Sequence, residues 1–393
     1  MKNGWKKTTL GEAFTTVTGT TPPKGDSELY GKFMPFVKPP ELCDAEFDSA
    51  ADGLSEAGAG VARTVPPKTI LVSCIGNLGK VGLNAVPVAF NQQINAILPD
   101  EDKAIADFIF YQVLSGSFKS QLEALASGTT VPIVNKSKFN TIEIVLPPLP
   151  EQQRIVGILD EAFEGIATAK ANAEKNLQNA RALFDSHLHS VFSQRGDSPI
   201  VPIGDVAEVF DGPHATPKTV DTGPVFLGIS ALQDGKINLG ETRHVTQQDF
   251  LQWTRRVQPK AGDIVFSYET RLGQAAIIPE GLECCLGRRM GLVRVNRRQV
   301  NPQFFVYQYI SSPFRKFLYS KTVHGATVDR IPLKKFPSFP ISLPSLAEQE
   351  RMTNRLNKLR AETQRLESIY QQKLAAMDEL KKSLLHQAFT GAL

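Results

Sequence analysis

The stretch Leu146–Arg154 has the sequence LPPLPEQQR, and Leu343–Arg351 repeats it as LPSLAEQER. A shift of 197 residues, from position 146 to position 343, aligns the two copies without a gap over about Phe108–Phe192 of the first copy. The chain is therefore a tandem duplication, and its function must explain why two copies are needed.

Each copy of the phrase opens a long stretch that the sequence predicts to be helical, Glu151–Phe192 and Glu348–Phe389. Apolar residues recur there at steps of three and four, in a narrow stripe of period about 3.5 that is typical of a coiled coil, and each helix would be roughly 60 Å long. The first stretch carries four Lys/Arg against six Asp/Glu, and the second carries eight against six. We expect the helices to pair antiparallel, with the globular blocks at opposite ends and related by a pseudo-twofold axis. The alternative is that each helix packs on its own domain or on a partner protein.

The composition is that of an ordinary globular protein with more than one domain. A chain of 393 residues is too long for one ordinary core, and its content of 41% hydrophobic and 21% charged residues is unremarkable for a folded protein. No apolar run reaches the length of a membrane span, and the basic start is not followed by an apolar signal core. The sequence predicts a cytoplasmic protein with no membrane partner.

The four cysteines (Cys43, Cys74, Cys284 and Cys285) show no C-x-x-C spacing and have no nearby histidine. Disulfides and a zinc site are therefore disfavoured, and reduced thiols in the core are expected. No metal site is predicted anywhere in the chain.

The two globular blocks differ in charge. Residues 1–150 hold 13 Lys/Arg against 15 Asp/Glu, whereas residues 193–347 hold 19 against 13. The second block is basic enough to suggest a polyanionic partner, but the first is not. Charge alone neither proves nor excludes binding to DNA.

Strand and helix signals are mixed in both blocks without regular βαβ alternation, which predicts an α+β (mixed α/β) fold. The predicted strands are Phe33–Val37, Thr69–Ser73, Val225–Ile229 and Asp263–Tyr268, and the predicted shorter helices are Ile105–Leu125 and Gln303–Ser320. The predicted domains are a first globular domain at 1–146, a helical spacer at 147–195, a second globular domain at 196–343 and a second helical spacer at 344–393. The fold class is thus two globular domains in tandem, joined by two long antiparallel coiled-coil helices.

No catalytic constellation stands out. Gly76–Gly82 fits neither glycine-rich phosphate-binding pattern and is interpreted as a β-turn between strands. The Asn/Asp-Pro-Pro-Tyr/Phe box of amino-methyltransferases is absent, and Pro99–Lys103 crowds the letters of a nuclease site into five residues. His187 and His189 are two residues apart and would point to different faces of their helix. The sequence predicts no catalytic residues.

Recognition chemistry is better represented. Phe90–Asn95 aligns with Leu286–Gly291, so the first copy presents Asn and Gln where the second presents Arg. Asn and Gln can pair with adenine and Arg with guanine in the major groove, although polar strand ends facing water remain the alternative. The candidate DNA-contacting residues of the first copy are Lys80, Asn84, Asn91, Gln92, Gln93, Lys136 and Lys138. Those of the second copy are Tyr268, Arg271, Gln274, Arg288, Arg289, Arg330, Lys334 and Lys335.

The chain resembles the specificity (S) subunits of type I restriction–modification systems. The resemblance covers essentially the whole chain and is carried by three duplicated features, the Leu-Pro-x-Leu-x-Glu-Gln-x-Arg phrases, the Gly-x-Thr-Val loops and the helix endings Leu188–Phe192 and Leu385–Gly391. Ile203–Asp205 and Gly262–Phe266 also resemble family phrases. The first copy departs from the pattern, because Pro67–Leu71 lacks the Gly-Asp of the second.

The resemblance implies two target-recognition domains, each of which reads one half of a bipartite, asymmetric site in double-stranded DNA. The helices would set the spacing and dock two methyltransferase (M) subunits, and restriction (R) subunits would join that core. S-adenosylmethionine, ATP and Mg²⁺ would belong to those partners, so this chain would be a non-catalytic subunit without a cofactor. The alternatives are a two-headed protein-binding scaffold without DNA contact and a combined nuclease–methyltransferase.

Overall fold

The computed structural model describes residues 4–128, 130–194, 198–323 and 329–393. The chain forms two compact units, which we describe separately. Unit 1 comprises Met1–Glu174 with Gln372–Leu393, and unit 2 comprises Lys175–Gln371. Each unit contains a globular part and a portion of both long helices, and unit 1 is assembled from two segments that are distant in sequence.

The globular part of unit 1 mixes strands with short helices, as an α+β fold requires. Its strands are β1 (Lys6–Thr9), β2 (Thr15–Thr18), β3 (Tyr30–Val37), β4 (Ala45–Phe47), β5 (Asp52–Leu54), β6 (Thr64–Val65), β7 (Ile70–Ser73), β8 (Val81–Asn84), β9 (Val88–Phe90), β10 (Ile94–Leu98) and β11 (Glu143–Leu146). Its helices are α1 (Leu10–Ala13), α2 (Glu56–Val61), α3 (Ala106–Val113), α4 (Gly116–Ala124) and α5 (Lys136–Phe139), after which the long helix α6 (Leu149–Ser193) begins.

Two sheets form the framework of unit 1. One has the strand order β2-β10-β7-β8-β4 and the other the order β5-β3-β9-β6. Strands β10 and β7 are antiparallel with Ile94 opposite Ser73, whereas β3 and β9 are parallel with Phe36 opposite Ala89. Nearly every residue from β7 to β10 is buried, which explains the continuous apolar runs, because strands covered on both faces do not alternate.

Unit 2 repeats this framework. Its strands are β12 (Ile200–Pro202), β13 (Ala207–Asp211), β14 (Val220–Leu227), β15 (Leu232–Gln233), β16 (Lys236–Ile237), β17 (Arg243–His244), β18 (Ile264–Ser267), β19 (Ala275–Ile277), β20 (Cys284–Leu286), β21 (Met290–Val295) and β22 (Pro340–Ser342). Its helices are α7 (Ile203–Val206), α8 (Gln247–Trp253), α9 (Pro302–Ile310), α10 (Ser312–Ser320) and the long helix α11 (Leu346–Thr390).

The central sheet of unit 2 has the order β13-β21-β18-β19, which matches β2-β10-β7-β8 of unit 1. Met290 of β21 lies opposite Ser267 of β18, and β14 runs parallel to β20 with Phe226 opposite Cys285. The two copies therefore share strand order, strand direction and register. The predicted mixed fold with two tandem domains is confirmed.

The two predicted shorter helices are each broken into two. Helix α3 ends at Val113, and Ser115 caps α4, since its side chain accepts a hydrogen bond from the backbone N–H of Phe118. In unit 2 the break falls at Ser311, where Pro313 lies in the first turn of α10. The prediction of single helices over Ile105–Leu125 and Gln303–Ser320 is therefore wrong. Pro313 was a sequence signal for the second break, because proline interrupts a helix interior.

The long helices α6 and α11 contain 45 residues each and pair with one another inside each unit. In unit 1, Lys170 forms an ion pair with Asp378 at 2.6 Å. In unit 2, Arg181 pairs with Glu367 at 3.1 Å. Position numbers rise along one helix as they fall along the other, so the predicted antiparallel pairing is confirmed. Within the described residues, no helix combines the length and the apolarity needed to cross a bilayer.

Gln152 explains why the repeated phrase contains a glutamine after its glutamate. Its side chain is fully buried and makes three hydrogen bonds to the backbone. The side-chain oxygen accepts from the Ile105 N–H at 2.9 Å, and the amide nitrogen donates to the carbonyls of Lys103 at 3.0 Å and Pro147 at 2.8 Å. The first turn of α6 is thereby fixed to the segment that leads into α3.

Gln349 makes the same set of bonds at the start of α11. It is also fully buried; its oxygen accepts from the Asn301 N–H at 2.8 Å, and its nitrogen donates to Gln299 at 2.9 Å and Pro344 at 2.8 Å. The duplicated phrase is thus a duplicated anchor between a long helix and the globular part of its unit.

The register of the duplication changes once within the aligned region. Ser127 pairs with Ile133 in unit 1, and Val323 pairs with Arg330 in unit 2. The offset is therefore 196 residues from Ser127 to Val323 but 197 from Ile133 to Arg330, so the second copy has one more residue in this segment. The prediction of a gap-free alignment from Phe108 onward is therefore wrong for the residues before this loop. The offset of 197 residues applies only after the loop.

Three of the four cysteines are core residues, as predicted, but Cys43 is exposed. Burial raises the pKa of the Cys74 thiol to about 12, and burial has the same effect on Cys284 and Cys285. These three thiols stay protonated near neutral pH and behave as small apolar side chains.

Candidate nucleic-acid interface

In unit 1, three loops meet at one edge of the central sheet, which we call the unit 1 loop edge. The loops are residues 74–80, 91–93 and 127–133, of which residue 129 lies outside the described residues. The Cys74 N–H donates to the Gln93 carbonyl at 2.8 Å, and the Gly76 N–H donates to the Pro132 carbonyl at 2.9 Å. The first loop therefore connects the other two.

The unit 2 loop edge is built in the same way. Its loops are residues 268–274, 287–289 and 323–330, of which residues 324–328, including most of the Gly-Ala-Thr-Val loop, lie outside the described residues. The Tyr268 N–H donates to the Arg289 carbonyl at 3.3 Å, and the Thr270 N–H donates to the Asp329 carbonyl at 3.4 Å. Glu269 also forms a β-bridge with Arg330.

Further backbone bonds fix the reading turns 91–93 and 287–289 to their neighbouring strands. The Asn91 N–H donates to the Val37 carbonyl at 3.1 Å, and the Gly287 N–H donates to the Leu227 carbonyl at 2.7 Å. The predicted segments Phe90–Asn95 and Leu286–Gly291 therefore occupy equivalent positions in their units. Because the bonds involve only the backbone, the side chains at these positions can differ.

The unit 1 loop edge is polar but nearly uncharged. Gln92 is exposed and accepts a hydrogen bond from the Thr21 hydroxyl, whereas Asn91 is 7% exposed and donates to the Gln93 side chain at 2.9 Å. Lys80 is half-buried at the end of the first loop. Gln92 is therefore the amide that this turn presents most openly.

The other candidates of unit 1 lie away from the reading turn or serve the fold. Asn84 is fully buried, and its amide donates to the carbonyls of Pro66 and Val86, both at 2.7 Å. In this conformation Asn84 holds a turn together and presents nothing to a ligand. The Lys138 ammonium group donates to the Leu125 carbonyl at the end of α4, whereas Lys136 is exposed.

The unit 2 loop edge carries four arginines against two carboxylates. Arg288 is exposed, whereas Arg289 forms an ion pair with Glu269 at 2.7 Å. Arg289 also has a φ of 73°, a left-handed conformation that residues other than glycine seldom adopt. This conformation turns the two adjacent arginines in different directions, one toward solvent and one toward Glu269.

Tyr268 is buried at the unit 2 loop edge and supports it. Its hydroxyl donates to the Asp211 carboxylate at 3.1 Å. Burial, together with the negative charge of Asp211, raises the pKa of Tyr268 above its usual range, so the hydroxyl remains a protonated donor. Tyr268 therefore positions the loop that carries Arg271.

Among the remaining candidates of unit 2, Arg271 is exposed and donates to the Ser230 carbonyl at 3.2 Å. Gln274 uses both ends of its amide on Asp234, at 2.8 Å to the backbone N–H and 3.2 Å to the carboxylate. Arg330 is exposed at the loop edge, and Lys334 and Lys335 are exposed on the following 3-10 turn, Leu333–Ser338.

Sequence reasoning missed several residues that shape these edges, namely Thr21, Asp211, Glu269 and Thr270. Thr270 has a φ of 65°, which is strained for a β-branched residue and is typical of functional loops. One signal was available in the sequence, the matched glycines Gly19 and Gly212. A Cβ on Gly19 would lie 2.2 Å from the Asn91 carbonyl oxygen, so only glycine fits against the reading turn.

The chemistry of both edges is hydrogen bonding and charge pairing. In the part of the chain that the structure describes, no group of His, Cys, Asp and Glu side chains is placed to hold a metal ion. Amides in unit 1 and guanidinium groups in unit 2 are the side chains that proteins use to recognise base edges. The two loop edges therefore share one backbone framework and differ in their side chains.

The family of the chain follows from comparison with known proteins. The model of the type I restriction modification DNA specificity domain matches residues 2–178 and again residues 197–374. The chain therefore belongs to the type I restriction–modification DNA specificity family. Members of this family confer DNA specificity rather than catalysis, so the expectation of a non-catalytic subunit is confirmed.

Several curated relatives are specificity subunits. The HindI subunit of Haemophilus influenzae is 36% identical over 168 residues, which span 41% of this chain but only 36% of that protein. The MjaVIII subunit of Methanocaldococcus jannaschii is 26% identical over 80% of this chain and 75% of its own length. The EcoKI subunit of Escherichia coli is 21% identical over 100% of this chain and 90% of its own length.

Solved structures show the same fold. A chain from a structure on complex assembly and conformational transition of the type I R-M system has a TM-score of 0.78 at 20% identity, covering 100% of this chain and 99% of that chain. The HsdS subunit of Thermoanaerobacter tengcongensis has a TM-score of 0.63 at 19% identity, covering 100% of this chain and 98% of that chain.

Proposed function

We propose that this specificity subunit reads a bipartite, asymmetric site in double-stranded DNA, with the unit 1 loop edge on one half and the unit 2 loop edge on the other. The observation that carries the proposal is the shared backbone bonding of turns 91–93 and 287–289, which supports side chains of different chemistry. A symmetric site would need the same side chains in both copies.

The side chains suggest what each half-site contains. Gln92 can accept from and donate to the edge of adenine, whereas Arg288 can donate two hydrogen bonds to guanine. Arg271 and Arg330 add positive charge to the unit 2 loop edge and fit contacts with phosphate oxygens, as do Lys136 of unit 1 and Lys334 and Lys335 of unit 2. Gln93 and Arg289, which are engaged by Asn91 and Glu269, position the reading turns.

The long helices and the partner subunits complete the proposal. The antiparallel helices α6 and α11 set the spacing between the half-sites, because a protein that reads two half-sites needs a fixed separation along the DNA. Two methyltransferase subunits, carrying S-adenosylmethionine, dock on the long helices α6 and α11. Restriction subunits that use ATP and Mg²⁺ join that core.

The test is to change one reading turn at a time and sequence the methylated adenines in host DNA. Gln92→Ala should relax one position in one half-site, and Arg288→Ala should relax one position in the other. Each change removes a paired contact worth about 1–3 kcal/mol of discrimination. The two variants control for each other, since each should leave the opposite half-site unchanged.

Arg298→Ala is the matched control, because Arg298 is exposed beyond the far end of β21. It should leave the motif as it is. Methylation that persists without any two-part motif, or a motif that is unaffected by both turn variants, would contradict the assignment. A protein-binding scaffold predicts no motif at all, and a combined nuclease–methyltransferase predicts methylation by the isolated chain.

A further inference from the structure

A cleft of about 500 Å³ opens beside the unit 2 loop edge, between segments 211–215 and 252–257. Leu286, the residue before reading turn 287–289, lines this cleft, so the cleft and the turn share a wall. The polar lining residues are Asp211, His214, Gln252, Trp253, Arg255 and Arg256. The apolar lining residues include Val257 and Leu286.

The balance of charge in the cleft favours an anion. Arg255 and Arg256 are both exposed, and Asp211 is the one carboxylate among the lining residues. Asp211 is already engaged: it accepts from Tyr268 at 3.1 Å, contacts His214 at 3.0 Å and lies 4.0 Å from Arg256. Arg256 is therefore one of several partners of Asp211, and two guanidinium groups against one carboxylate leave the cleft with a net positive charge.

The corresponding corner of unit 1 is closed. The Arg63 N–H, which follows α2 as Arg255 follows α8, donates to the Thr20 hydroxyl at 2.7 Å. The Thr20 N–H in turn donates to the carbonyl of Phe90, the counterpart of Leu286, at 3.0 Å. The duplicated framework thus brings these segments together in unit 1 and leaves them apart in unit 2, where two arginines line the gap.

We propose that this cleft holds one sugar–phosphate unit of the DNA backbone beside the half-site of unit 2, with Arg255 and Arg256 as its phosphate contacts. The inference rests on the proposed function and adds a contact that carries no sequence information, because guanidinium–phosphate pairs position a duplex without reading bases. A cleft of this volume is within the range of sites for small organic groups.

Trp253 supplies a second observation. Its indole N–H is buried and has no acceptor among the described residues, although buried donors are usually paired. Trp253 is the last residue of α8 and lies two residues before Arg255. Because Trp253 lines the cleft, its fluorescence should report occupancy.

The experiment compares two Arg-Arg pairs in the full-length chain assembled with the modification subunits of its host. Arg255→Gln/Arg256→Gln should weaken binding to every duplex about tenfold and make the plot of log affinity against log salt shallower by about 0.9, since one neutralised phosphate contributes about 0.9 to the slope. The methylated motif should not change. Arg297→Gln/Arg298→Gln, at the opposite end of β21, should leave affinity and slope as in the wild type.

Trp5→Phe leaves Trp253 as the single tryptophan of this chain, since its sequence contains two. Its emission should change when duplex is added and should return at high salt. Equal slopes for the two Arg pairs, or Trp253 emission that does not respond to a bound duplex, would overturn the cleft assignment while the proposed function stands. A wild-type complex that does not bind duplex at all would instead overturn the proposed function.

Discussion

Gln152 and its counterpart Gln349 are the residues that tie each long helix to the globular part of its unit. Gln152→Ala should leave one N–H and two carbonyls, all at least partly buried, without this side-chain partner, which costs about 3 kcal/mol of unfolding free energy. The measurement is the urea unfolding curve, followed by the helical circular dichroism signal.

Gln153 gives the matched control, because it is the next residue in the chain and is exposed. Gln153→Ala should change the unfolding free energy by less than about 0.5 kcal/mol, as expected for an exposed site with no special contacts. Equal effects of the two substitutions would show that the buried side chain is not an anchor.

Individual residues were also where sequence reasoning was weakest. Asn84 and Gln92 are both polar residues near strand ends, and composition cannot tell that one is buried and the other exposed. The difference depends on strand pairing across the chain, which places Asn84 over the Pro66 carbonyl. Arg288 and Arg289 differ for the same reason, because Glu269 reaches only one of them.

At the scale of elements, the portion of α11 that belongs to unit 1 is part of that unit's core. Leu385 is 4% exposed and packs with residues of the globular part, whereas Leu380 is 49% exposed. Leu385→Ala should destabilise unit 1 by about 3 kcal/mol, because it deletes buried methyl groups and leaves a cavity.

Leu380→Ala on the same helix should cost less than about 0.5 kcal/mol, because it removes a side chain that is half exposed. Hydrogen exchange of β7 and β10 measures both effects directly, since these strands lie in the core of unit 1. Faster exchange in the Leu380 variant than in the Leu385 variant would contradict the assignment of the helix to this core.

Which segments form strands or helices was largely predictable from the sequence, but the first and last residues of these elements were not. The four predicted strands overlap the observed strands β3, β7, β14 and β18. Long runs of β-branched and aromatic residues favour strands, so these positions were predictable. The run Val225–Ile229 extended too far, since the strand stops at Leu227 and a 3-10 turn starts at Ile229. The helix break at Ser115 depends on a local cap that competes with a strong apolar periodicity.

At the scale of the whole molecule, the proposed spacing role predicts a change in the DNA site when both long helices are lengthened. One heptad inserted after Glu174 and another after Gln371 would preserve the apolar stripe and add about 10 Å, which corresponds to about three base pairs. The methylated motif should gain about three unspecified positions between unchanged half-sites.

A heptad inserted in α6 alone is the control, because it shifts one helix against the other and should abolish methylation. A double insertion that leaves the spacing of the motif unaltered would rule out the helices as the element that measures it. The reading turns would then remain responsible for the half-sites alone.

The division of unit 1 between two distant segments has a consequence for biosynthesis. Every residue of Lys175–Gln371 leaves the ribosome before Gln372–Leu393 does, although unit 1 holds the first residues of the chain. The nascent chain can therefore complete unit 2 while unit 1 still lacks Leu385 and Ala388 from its core. Translation order and completion order are therefore reversed, because unit 1, which is made first, obtains the last part of its core only once Gln372–Leu393 has been made.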